Sequence, residues 1–133
     1  MSNPIQQTVT FKASPHEVYE ALMDSAKHSA FSGGTAEISR EEGGEFSAYD
    51  GYISGRNIRL LPDREIVQSW RAVDWPEGHF STITFVLLPI TDGTRLNFTH
   101  VDVPEGTEAE FEQGWVDNYW EPMKAMLEEG RAS

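Results

Sequence analysis

The chain has 133 residues, 38% of them apolar, with 22 acids against 10 bases for a formal net charge of −12. That length is one domain with enough chain to bury a core, and recurring Phe, Trp and Tyr exclude disorder. The acidic surface disfavours nucleic acid and anionic membranes, and the absence of cysteine excludes disulfides, thiol nucleophiles and cysteine-ligated zinc.

Residues 1–10 show no basic segment followed by an apolar one, and no run of about 18 apolar residues occurs. The reading therefore expects a cytoplasmic protein with no membrane insertion. Asn97-Phe98-Thr99 matches a glycosylation sequon, but it falls inside an expected strand and is dismissed.

Residues 5–12 alternate, with Ile5, Gln7, Val9 and Phe11 on one face, which is the period of a strand. Ser14, Pro15 and Glu17 form a capping box with proline at the first helical position. The helix they open places Val18, Tyr19, Leu22 and Met23 on one side and ends near Asp24. A second short helix is expected over 25–31, closed by Gly33-Gly34. Both are too short to stand alone and must pack on something.

Strands follow. Ala36 and Ile38 alternate with Glu37 and Ser39, residues 41–44 turn, and 45–49 return. Asp50-Gly51 is a hairpin signal. The next strand, 52–61, contains Gly55, which marks a bulge or a close backbone approach. Pro62-Asp63 turns into 65–73, with Ile66, Gln68 and Trp70 on one face. A loop at 75–78 leads to a long strand over 79–89, and Thr91-Asp92-Gly93 turns into 94–103. Local hairpins imply antiparallel neighbours.

Residues 104–107 break the pattern. Thr107 and Glu110 read as a second capping box, and Glu108, Glu110 and Glu112 suit the positive end of a helix dipole. Phe111, Trp115, Tyr119, Met123, Met126 and Leu127 recur at helical spacing, giving an amphipathic helix of about 23 residues and about 34 Å. Gly114 lacks a side chain there, and Pro122 removes the hydrogen bond to the Asn118 carbonyl and should kink the rod. The expected fold class is α+β: a curved antiparallel sheet of about seven strands around a long C-terminal helix, with two short helices after the first strand. It is read as one domain over 1–133.

The series Gly44 and Phe46, then Gly51, Ile53 and Gly55, then Pro62, resembles the heat-shock protein 90 ATPase activator-like family. Ile66, Trp70 and Arg71, then Gly93, Thr94, Leu96, Phe98 and His100, continue the likeness, and Phe111, Trp115, Tyr119 and Trp120 complete it. That family belongs to the START-like, or SRPBCC, helix-grip superfamily. The resemblance covers nearly the whole chain, without the additional N-terminal domain of the family's eukaryotic co-chaperone. It implies a cavity between sheet and helix, which relatives use for lipids, polyketides or other apolar molecules. Phe31 stands where relatives often carry Trp, which would reshape one end of that cavity.

Few residues suggest chemistry. His100 shares its strand face with Leu96 and Phe98, so it is either a buried, hydrogen-bonded core residue or an acid/base group. His16, His28 and His79 are scattered without metal-site spacing. No nucleophile elbow, phosphate loop or dinucleotide fingerprint occurs, and no cofactor or metal is expected. Trp70, Trp115, Tyr119 and Trp120 either fill the core or wall a pocket. Arg56 and Arg71 either hold an anionic group or pair with surface acids.

Three functions remain. The first is a binding module whose sheet–helix cavity, lined by Ile66, Trp70, Phe85, Leu96, Phe98, His100, Trp115 and Tyr119, accepts a small apolar or amphipathic ligand. The second is a chaperone-associated, stress-response interaction protein that docks acidic residues on a heat-shock ATPase. The third is a cyclase- or hydrolase-like enzyme using His100.

Overall fold

The computed structural model describes residues 4–32 and 34–129. Strand β1 (Ile5–Phe11) leads into α1 (Pro15–Met23) and α2 (Ser25–Ser32). Six strands follow: β2 (Glu37–Ile38), β3 (Glu45–Ala48), β4 (Ile53–Leu61), β5 (Glu65–Ala72), β6 (Ser81–Ile90) and β7 (Gly93–Val101). All seven form one antiparallel sheet in the order β1-β7-β6-β5-β4-β3-β2. The C-terminal rod runs through α3 (Glu108–Trp115), a π-helical turn (Val116–Trp120) and α4 (Glu121–Glu129).

The first capping box forms as expected. The Ser14 hydroxyl accepts from the Glu17 amide at 3.1 Å, and the Glu17 carboxylate accepts from the Ser14 amide at 3.0 Å. The second does not form. Thr107 opens α3 without a side-chain cap, because its hydroxyl donates to the Pro104 carbonyl instead. The Glu108 carboxylate takes the Gly106 amide, so the acids at this end serve the preceding turn as well as the helix dipole. Of the expected Gly33-Gly34 closure of α2, Gly33 lies outside the described residues.

The strands bury alternate residues. Ile66, Gln68, Trp70 and Ala72 of β5 face the helices, as do Ser81, Ile83, Phe85 and Leu87 of β6 and Thr94, Leu96, Phe98 and His100 of β7. Gly55 is a close approach rather than the bulge. A β-carbon there would sit 1.9 Å from the Ser69 carbonyl oxygen and 2.7 Å from the Phe46 ring. The register irregularity of β4 falls two residues later, between Asn57 and Arg59. There the buried Asn57 amide donates to the carbonyls of Ser39 (2.7 Å) and Glu41 (3.0 Å), and its oxygen accepts from Gln68 at 2.9 Å. A polar pair thus pins the 39–44 turn to the sheet, with its buried side-chain groups satisfied.

Pro122 acts on the rod through the π turn. Proline has no N–H for the carbonyl four residues back and clashes with it. Here the Glu121 amide bonds five residues back, to Val116, which widens the turn. The Asn118 carbonyl, deprived of its helical donor, takes a long 3.4 Å hydrogen bond from the Tyr49 hydroxyl. The extra residue in the turn brings both Tyr119 and Trp120 to the core side, in line with Trp115 and Met123. Gln7, a polar residue on the apolar face of β1, is explained by the same geometry. It accepts from the Trp120 indole at 2.7 Å and donates to the Glu112 carbonyl at 2.8 Å. Among the described residues no helix is long and apolar enough to cross a membrane.

Gly55→Ala should lower stability by about 2–3 kcal/mol, because the obstructing atom is backbone and strands must move apart. Urea unfolding with an unchanged slope and a lower midpoint is the expected result. A midpoint equal to that of the parent would show that β4 and β5 do not approach so closely.

Candidate functional site

The inner face of the sheet meets the rod in a cluster of rings centred on Trp115. Its ring centroid lies 4.4 Å from Phe98, 4.4 Å from Tyr119, 5.8 Å from Trp70 and 6.1 Å from Phe85. Offset and edge contacts of this kind add to the area each ring buries. Through this cluster runs a single chain of hydrogen bonds. The Trp115 indole N–H donates to His100 Nδ1 at 3.1 Å. An indole only donates, so Nδ1 must be the bare nitrogen and Nε2 carries the proton. Nε2–H then donates to Ser81 Oγ at 2.7 Å, and Ser81 donates to the Trp70 carbonyl at 2.7 Å.

This settles how His100 is placed. It is wholly buried, neutral, and has both ring nitrogens occupied. Burial pushes its pKa down from 6.5 to about 3, since no carboxylate faces it to hold a proton. With no lone pair or proton free for a substrate, it acts as a strut between helix and sheet.

A second buried histidine was not singled out by sequence reasoning. His28 of α2 donates from Nδ1 to the Leu22 carbonyl at 3.1 Å and accepts at Nε2 from the Tyr119 hydroxyl at 2.9 Å. Burial lowers its pKa, and the hydrogen bond to Leu22 opposes this. Burial likewise raises Tyr119 well above the ordinary tyrosine value, so the pair stays neutral. Phe31 closes this end, 4.9 Å from the His28 ring and 5.5 Å from Tyr119. Phe31 fills its place against these two rings. Nothing in the local sequence linked residue 28 to residue 119, since their contact is purely tertiary.

The consequence is a correction to the expected open cavity. The void enclosed beneath the middle of the rod is about 10 Å³, room for a single water at most. Ile66, Trp70, Phe85, Trp115 and Tyr119 border it. Leu96, Phe98 and His100, expected to line the same cavity, do not border it; all three are buried, with Phe98 against Trp115 and Trp120 and His100 against Trp115. The edge contact of His28 on Tyr119 and the π turn bring the rings close together there.

Between sheet and rod, a groove of about 280 Å³ stays open at one end of the rod, where the β3–β4 turn faces α3. Tyr49, Tyr52 and Phe111 form its walls, Trp70, Trp115 and Tyr119 reach its floor, and Gly114 and Asn118 border it from the helix. Three of the eight expected ligand residues therefore reach this groove. The arginines do not serve it. Arg56 pairs with Glu45 at 3.0 Å, and Arg71 donates to the carbonyls of Trp75, Pro76 and His79, fixing the 73–80 loop. Among the described residues no group of three or more His, Asp or Glu side chains could hold a metal.

Histidines that are neutral when folded make the protein acid-sensitive. An unfolded His100 takes up its proton near 6.5, whereas the folded one resists down to about 3. The unfolded state binds more protons in that window, so stability is full above pH 6.5 and falls as pH drops, at about 1.4 kcal/mol per unit where steepest. Replacing His100 by Gln, which keeps a donor and an acceptor, should flatten this slope between pH 6.5 and 4.5. Urea midpoints at pH 7.5 and 5 read it, and identical pH slopes in the two proteins would overturn it.

The sequence compares with known proteins as follows. Residues 12–128 match the family described as Activator of Hsp90 ATPase homolog 1-like protein. The human Activator of 90 kDa heat shock protein ATPase homolog 1 is 36% identical over 115 residues, covering 86% of this chain and 34% of its own. Mouse homolog 2 is 30% identical over 121 residues, covering 91% of this chain and 37% of its own. The chain thus spans about a third of the length of these curated relatives. The crystal structure of an HSP90 activator from Plasmodium falciparum superimposes with a TM-score of 0.87 at 27% identity, covering 93% of this chain and 95% of that one. With its seven-stranded sheet gripping a C-terminal rod, and a match running over most of its length, this chain belongs to the Activator of Hsp90 ATPase homolog 1-like family.

Proposed function

We propose that this domain acts by docking its surface on a 90-kDa heat-shock ATPase, in the manner that the names of its relatives suggest. The observation that carries this reading is the close packing beneath the rod in a domain from this family: an enclosed void of about 10 Å³ there leaves the surface as the larger working part. The charge supports it. Exposed Glu105, Glu110, Glu112, Asp117 and Glu121 project along one rod and its leading loop, within a chain of net charge −12. Such a face attracts a basic partner surface and accelerates encounter.

Exposed charges are screened beyond about 10 Å at 0.1 M salt. Binding to the cognate ATPase should therefore weaken severalfold between 50 and 300 mM salt, read by calorimetry or by the rate of nucleotide hydrolysis. Glu112→Gln, Asp117→Asn and Glu121→Gln together should weaken it at low salt with the melting temperature retained. If the domain in excess at low salt neither binds the ATPase nor changes its rate, the reading is wrong.

The groove beside Gly114 favours a second reading, binding of a small apolar or amphipathic molecule. Its size is at the lower end for ligand sites, and its aromatic walls are of the usual kind. Native mass spectrometry and thermal shifts against a lipid and aromatic panel should then find an adduct. The adduct should disappear in a Gly114→Leu variant.

A further inference from the structure

We propose that the groove between the β3–β4 turn and α3 receives an organic cation, an alkyl or quaternary ammonium ion carrying an apolar arm. This rests on the second reading and names the ligand class for it.

Three independent features point the same way. The first is the lining. Tyr49, Tyr52, Phe111 and Trp115 converge there, and among the described residues no lysine, arginine or histidine lines the groove. Aromatic rings attract cations through their quadrupoles, most strongly where water is excluded. The second is the charge at the mouth. Tyr52 is 45% exposed, and besides its partial burial the hydrogen bond and charge of Asp74 and the charge of Glu110 raise the pKa of its hydroxyl. Asp74 follows β5 and Glu110 belongs to α3, so carboxylates approach this rim from the sheet side and from the helix side. An anion would meet both acids and no base. A neutral ligand would gain nothing from them.

The third is Gly114. Glycine inside a helix is about 1 kcal/mol less favourable than alanine. The fold gives no reason for it, because an added β-carbon would meet only the Asn118 amide, at 3.8 Å. What the missing side chain leaves is the groove itself.

The test uses three probes with a common alkyl arm and different heads: hexyltrimethylammonium, 1-heptanol and heptanoate. Titration followed by ¹⁵N NMR should show saturable shifts at the Tyr52, Gly114 and Trp115 amides for the ammonium ion, at least about tenfold tighter than for the alcohol, with none for heptanoate. Asp74→Asn should weaken the ammonium ion about threefold to tenfold. Gly114→Leu should abolish its binding while the melting temperature stays level or rises, as a gain in helix propensity requires. If the alcohol binds as tightly as the ammonium ion, the cation assignment is wrong although the groove binds ligands. If no probe binds, both readings of the groove are wrong. Ammonium binding that survives Gly114→Leu would place it elsewhere on the acidic surface and overturn the proposal.

Discussion

The hydrogen bond from the Trp115 indole to His100 is a directed interaction that fixes rod to sheet at the centre of an apolar core. Hydrophobic contact alone is non-directional and tolerates sliding or rotation of a helix on a sheet. A buried indole N–H with no acceptor would lose on the order of 1–3 kcal/mol, so rotations that break this bond are disfavoured. His100 in turn is aimed by Ser81, and Ser81 by the Trp70 carbonyl. The sheet therefore prepares an acceptor of fixed direction, and the rod locks onto it. Other rings of the rod find their partners in the same orientation. Tyr119 is carried to His28, and Trp120 to Gln7 and Phe11.

A filled interior follows from the same constraint. Trp115 stacks at 5.8 Å with an interplanar angle of 23° against Trp120, two rings of one rod that a regular α-helix would point further apart. The π turn brings them together, and Phe85 and Phe98 pack against both. The START-like architecture permits a cavity between sheet and helix, but the fold does not decide whether one exists. Ring size and rod phase decide it, and here they close it. What remains accessible includes the acidic surface of the rod and the groove at its end.

Much of this was legible from residues. Strand alternation located β1 and β5 to β7, because each has one face on the core and one in water. Ser14, Pro15 and Glu17 located α1 because a capping box is a local device whose partners are three residues apart. The second such pattern, Thr107 and Glu110, misled because a nearer acceptor, the Pro104 carbonyl, captured the hydroxyl. Pro122 led to an expected kink, and the structure has a π turn just before it, since both relieve the same clash. His28 was overlooked because its partner Tyr119 lies 91 residues away. The orientation of Leu96, Phe98 and His100 was readable from a period of two. The volume they leave was not, because it depends on rotamers set by elements elsewhere in the chain.

Several local irregularities meet at one end of the rod, and their placement bears on function. Tyr49 and Asp50 hold φ of 51° and 59°, the left-handed region, which for a bulky residue such as Tyr49 is strained. Tyr49 borders the groove, Gly114 stands in the opposite wall, and the π turn begins two residues beyond it. Tyr49 also supplies the donor that the π turn leaves wanting at Asn118. The strained turn and the widened helix are thus two halves of one arrangement, joined by a hydrogen bond across the groove. The opposite pairing of β1 with β7 runs in regular register over seven residue pairs. Departures of this kind are found where a ligand or partner meets a fold. The same end carries Glu110 and Asp74, so surface charge and backbone irregularity converge on a single face of the molecule.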